Sequence, residues 1–236
     1  MGGSEPAGAP LAPFRSPAAA SAWSASAGGG PEGFSRAVAS WLLPRLAPVR
    51  RGPHGHFTAA QSSAEGAVGN VGQYCTCVWT RDAALVSMAL HEAGGGAARE
   101  EAAGALRALA ELYDSEPHAG AMEAMAAGGG AGYGAETAAT VRFAAATGAR
   151  TEWGHDQLDA VGLFLAAYCS VLPPGERSPA LVGRFARYLS AVRYWEAPDL
   201  GHWEEHREAG RLSSVGCCVA GLRVAAGAMA ELGECG

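Results

Sequence analysis

Six Ala-rich apolar runs, or seven with one disturbed by Pro44, constrain this chain most. They are separated by Gly and Pro breaks, and no segment alternates as a half-buried strand would. The runs are Ser35–Leu46, Arg81–Ala93, Ala97–Leu112, Ala135–Thr147, His155–Leu172, Ser178–Tyr194 and Leu212–Leu232. Gly94-Gly95-Gly96, Gly148 and Pro173-Pro174 supply stops, because glycine ends helices readily and proline cannot continue them. Arg51–Gln73 reads as loop or short extended segments, and Ala119–Gly134 as a Gly-rich break. Parallel α/β folds are thereby disfavoured, and an all-α row of helical hairpins is expected. Residues 1–34, rich in Ala, Pro, Gly and Ser, are expected to form a disordered head. Residues 35–236 are expected to form the helical domain.

Charge and cysteine usage narrow the function classes. The 17 basic residues against 23 acids give a net charge of −6 without a basic run, so nucleic-acid binding is not expected. No stretch reaches the roughly 20 charge-free apolar residues of a membrane span, and no basic n-region precedes an apolar core. Neither a membrane nor a secretory route is therefore expected. Six Cys in 236 residues do not make a disulfide framework. They suit an intracellular, reducing compartment: cytoplasm, or an organelle if the head is a transit segment.

Three polar clusters stand where a loop becomes a helix: Trp79-Thr80-Arg81-Asp82, Trp153-Gly154-His155-Asp156-Gln157-Leu158-Asp159, and Trp203-Glu204-Glu205 ahead of Leu212. If alternate helices line one wall, the clusters meet at one end of it. An aromatic beside carboxylates suits sugar chemistry: the indole stacks on a sugar face and a carboxylic acid protonates a glycosidic oxygen. Arg81 and Asp82 offer directed hydrogen bonds to vicinal hydroxyls. Thr80 is an N-cap candidate, with Asp82 in the first turn. As an acid Glu204 must hold a proton near neutral pH, which burial beside Trp203 and the like charge of Glu205 would favour. Nothing in these clusters asks for a cofactor.

Val78-Trp79-Thr80-Arg81-Asp82, Trp153-Gly154-x-x-Gln157-x-Asp159 and Pro198-Asp199-Leu200-Gly201-His202-Trp203-Glu204-Glu205 with Ser213-Ser214 occur in an order that resembles glycoside hydrolase family 15. That is the glucoamylase-type toroid of paired helices. The spacing around Gly201 is closer to the related domain of phosphorylase kinase regulatory subunits and their bacterial relatives. The resemblance covers about residues 54–236. It implies an α-glucan or oligosaccharide ligand, with Trp79, Arg81, Asp82, Trp153, Gln157, Asp159, Trp203 and Glu205 as binding residues. It implies Glu204 as general acid of inverting hydrolysis.

Inversion needs a second carboxylate about 6.5–9.5 Å away, and the resemblance places that base late in the ring. The expectation is an incomplete (α/α)6 toroid of about half the hairpins. Its base would be supplied by further sequence or another chain, and its open edge would favour self-association. A non-catalytic carbohydrate-sensing module is the alternative. A remoter one is zinc hydrolysis through His202, Glu205 and His206, which match H-x-x-E-H.

Overall fold

The computed structural model describes residues 55–58, 72–93, 95–202, 204 and 206–234, with backbone alone for Gly72, Gln73, Ala93, Leu232 and Glu234. Among them the chain is all-α, with two short antiparallel ribbons. A one-turn helix α1 (Gly72–Thr76) leads into strand β1 (Cys77–Trp79). Helices α2 (Thr80–Ala93), α3 (Gly96–Asp114) and α4 (His118–Ala127) follow. After strand β2 (Arg142–Ala144) come α5 (Leu158–Val171) and α6 (Pro179–Ala191). Strands β3 (Pro198–Asp199) and β4 (Glu208–Ala209) precede the long α7 (Leu212–Glu234). The expected helix over Ser35–Leu46 lies outside the described residues.

Helices α2, α5 and α7 pack side by side, with α5 in the middle. They are the three helices that follow the polar clusters, and the first turns of α2 and α5 meet at Arg81 and Asp159. Helix α3 backs α2, and α4 and α6 pack on each other. The α5–α7 contact is backbone on backbone. A Cβ on Gly162 would stand 2.5 Å from the Cys217 carbonyl carbon, and one on Gly221 would stand 2.4 Å from the Gly162 oxygen. Only glycine permits that approach, which explains two glycines inside otherwise regular helices.

Tyr113, at the end of α3, is the aromatic hub. Its ring meets Phe143, Phe164 and Phe185 at 5.3, 4.9 and 4.9 Å. Its hydroxyl donates to Thr140 O at 2.8 Å and pairs with Thr80 Oγ1 at 2.8 Å. The Thr80 hydroxyl thus ties the start of α2 to Tyr113. Tyr188 accepts the Ala139 N–H at 2.9 Å, so two buried phenols pin the 139–140 segment.

Two segments differ from the sequence expectation. Ala135–Thr147 is not a helix: its second half is β2, paired with β1 in the register Cys77↔Ala144, Val78↔Phe143, Trp79↔Arg142. Thr140, Val141 and Phe143 are β-branched or aromatic, and the pairing buries Val78 and Phe143 completely. Tertiary pairing overrides the alanines around them. The supposed break at Ala119–Gly134 begins with α4, because Ala and Met in Ala119–Ala127 are strong helix formers and the glycines come later.

Helix α7 is apolar but little buried. Leu212–Glu231 is long and apolar enough to cross a membrane by length and composition, with mean hydropathy 1.5, although Arg223 interrupts it. Only 28 % of that window is buried. Ser214, Cys218, Gly221, Ala225 and Ala228 form the covered stripe, while Leu212 is 84 % and Met229 37 % exposed.

Candidate functional site

The site is built from three segments far apart in sequence. Arg81 leaves the first turn of α2, Gln157 and Asp159 stand at the start of α5, and Gly201 and Glu204 belong to the turn between β3 and β4. Arg81 is the joint. Its Nε donates to Asp159 Oδ2 at 2.7 Å and its Nη2 to Asp159 Oδ1 at 3.2 Å, a two-pronged fork. Nη2 also reaches Gln157 Oε1 at 2.8 Å and Gly201 O at 3.1 Å. Nη1 reaches Glu204 Oε1 at 3.3 Å. The same oxygen of Glu204 accepts Gln157 Nε2 at 3.0 Å, and Gln157 is steadied by Gly154 O at 3.0 Å.

Burial works against the Arg81 charge, but the Asp159 hydrogen bond and the charges of Asp159 and Glu204 outweigh it and hold the guanidinium above its ordinary value. Asp159 is fully buried, and Glu204 is 23 % exposed at its side chain. His202 Nδ1 stands 3.4 Å from Asp159 Oδ2. Burial pushes the neighbouring Asp82 carboxyl up, opposed by the Arg81 charge.

Glu204 has φ 54°, in the left-handed region that a side chain adopts at a cost of order 1–3 kcal/mol. Gly201, at φ 64°, makes the sharp turn before it, where a Cβ would collide with Arg211. The turn therefore holds Glu204 in a backbone conformation that a relaxed loop would leave.

Sequence reasoning passed over the support beneath this turn. Asp199 is buried, and its Oδ2 accepts the Leu158 N–H at 3.1 Å, satisfying the open N-terminus of α5 from another segment. Burial pushes its carboxyl up. Asp156, equally buried, pairs with Arg207, and its backbone oxygen accepts Leu200 N–H at 2.8 Å. The only signal in the sequence was their presence inside two of the motifs.

The aromatic part of the site lies on β1 and the loop before α5. Trp79 and Trp153 meet edge to face at 5.1 Å, and the Arg142 guanidinium lies over both rings at 4.9 and 4.8 Å. Trp79 is buried, so Tyr74, stacked on it at 5.8 Å and 41 % exposed, presents the outer aromatic face. Both indole N–H groups are buried with no hydrogen-bond partner among the described residues. Trp203 and Glu205 lie outside the described residues. His202 lies in a turn and His206 outside any helix, and no group of three metal-binding side chains assembles among the described residues.

His155 locks the loop. Its Nδ1 accepts the Val141 N–H at 3.1 Å, so its proton sits on Nε2, which donates to Thr151 O at 2.8 Å. Burial pushes the imidazole down from 6.5 to about 4. Because the folded value is the lower one, acid protonates the unfolded chain first. The stability from neutral His155 is complete above about pH 6.5 and falls toward about pH 4, at up to about 1.4 kcal/mol per pH unit. Asp82 and Asp199, held up by burial, act in the opposite sense. The diagnostic quantity is thus the difference between wild type and His155→Gln in urea unfolding across this window. The variant is expected to lose the acid-side decline; an identical pH slope in both proteins would refute the assignment.

A search of the curated proteins gives no match. The family model for glycosyl hydrolases family 15 matches residues 42–235, which include every residue of the site. This chain belongs to glycosyl hydrolases family 15.

Proposed function

We propose that the chain carries an α-glucan site and that Glu204 is the general acid of an inverting, single-displacement hydrolysis. The observation that carries the reading is the convergence of Arg81, Gln157 and Glu204 from three distant segments onto one partly open point. Both donors to Glu204 reach Oε1, which leaves Oε2 as the oxygen clear of these contacts. The strained backbone at Glu204 supports the same reading, since such strain gathers at functional positions. Arg81 and Asp82 bind sugar hydroxyls, with Trp153 and Tyr74 as stacking surfaces. Asp159 acts by positioning Arg81, because its carboxylate is fully buried. Trp203 and Glu205 complete the sugar contacts.

The water-activating base is assigned to none of the carboxylates described here. Asp159 is committed to Arg81, Asp156 to Arg207 and Asp199 to the start of α5. A carbohydrate-sensing role is the second reading. It is favoured by the closed Arg81–Gln157–Glu204 network, which holds Glu204 against a cation before any sugar arrives.

Calorimetric titration with maltotetraose, paired with NMR detection of the product anomer, tests both readings. Binding with release of the inverted anomer is expected for the enzyme. Binding without turnover supports sensing. Absence of saturable binding would overturn the α-glucan site itself.

A further inference from the structure

A cavity of about 490 Å³ lies against α4. Its apolar side is Pro117, Ala121, Ala124 and Met125, and its polar side is Thr140 and Arg150. Neither Arg81, Gln157 nor Glu204 lines it. The volume is that of a small-molecule pocket. No aromatic ring offers a sugar platform in this lining; the nearest ring, His118, is fixed by Thr140 Oγ1 at 3.1 Å and Gly148 O at 2.9 Å.

The charge of Arg150 is the unusual feature. Nη1 donates to Ala138 O at 2.7 Å and Thr140 Oγ1 at 3.2 Å, and Nη2 donates to Ala135 O at 2.6 Å. All three acceptors are neutral. Glu136 is exposed at the rim and makes no ion pair with Arg150 among the described contacts. A guanidinium has five N–H donors, so donors remain for a ligand. Burial works against the Arg150 charge, with only the more distant Glu136 field and the Tyr188 phenol opposing it. A half-buried cation held by neutral groups gains from an anion, and a charge-assisted contact is about twice as strong as a neutral one. A single guanidinium beside an acidic rim suits one negative charge rather than two.

We propose that this cavity is a second ligand site, taking a monocarboxylate with an apolar tail of about six to ten carbons whose carboxylate pairs with Arg150. The tail covers Ala121, Ala124 and Met125. The site is independent of the glycosidase reading, since the residues that line it are not those of the sugar network.

Sodium octanoate, titrated calorimetrically into the full chain below its micellar concentration, is the probe, with 1-octanol as its neutral counterpart. Saturable one-site binding of octanoate is expected. Arg150→Met, and replacement of octanoate by octanol, should each weaken it by about ten- to a hundredfold, the worth of a hydrogen bond to a charged group. Ala121→Trp occupies the cavity from an exposed helix position, so it should remove binding while preserving helical circular dichroism. If Arg150→Met does not fold, Ala121→Trp and octanol decide the matter. No saturable octanoate binding, equal affinity for octanol, or binding undiminished in Ala121→Trp would each overturn the proposal.

Discussion

Glu204→Gln is expected to lower maltooligosaccharide hydrolysis by about 10²–10⁴-fold, the usual worth of a general acid, while leaving affinity within about twofold. The substitution keeps the shape of the side chain and an oxygen able to accept from Arg81 and Gln157, so the network of the resting site survives. What it removes is the ability to serve as the general acid of the proposed mechanism. The assay is single-turnover hydrolysis beside calorimetric binding. A variant as fast as wild type would remove Glu204 from the chemistry. A variant that loses binding together with rate would make Glu204 a sugar-gripping residue instead.

Arg81→Met is expected to cost about 3–5 kcal/mol of folding stability, the usual result of breaking a buried ion pair from one side. Asp159 has no exposure and Arg81 supplies both prongs of its pairing, so among the described contacts the variant leaves a buried carboxylate with only His202 Nδ1, at 3.4 Å, beside it. Arg81 also ties Gly201 O, so the Glu204 turn should loosen and maltotetraose affinity should fall with stability. Urea unfolding of Arg81→Met, Asp159→Asn and the double variant separates the parts. The double variant should recover stability relative to Arg81→Met, because the buried charge is gone. A loss below about 1 kcal/mol for Arg81→Met, the range of exposed ion pairs, would show that the fork is not a structural joint.

These two residues also show how far sequence alone reaches. The helical runs α2, α3, α5, α6 and α7 were legible because each carries a repeating apolar face longer than two turns, and a local period survives whatever packs against it. The three motifs were legible as candidates because their residue types have narrow chemistry. The segment from Ala119 to Thr147 was not legible. Its alanines and glycines carry little pattern, and its β2 half exists through pairing with Cys77–Trp79.

Sequence by itself determined the helical class and the family, and nominated candidates for the site. Tertiary structure alone decided their division of labour. The family resemblance implies Asp159 as a sugar contact, and the structure shows it buried and paired with Arg81. Asp199 looked like one position in a loop motif, yet it closes the start of α5. Glu204 stood out in the sequence only for its chemistry beside Trp203 and Glu205, yet Gly201 and Arg81 hold it in a backbone conformation it would not choose alone. The physical reason is common to all three. A residue's chemistry is local, but its charge and hydrogen bonds are completed by partners 41 to 123 positions away, and only folding brings those together.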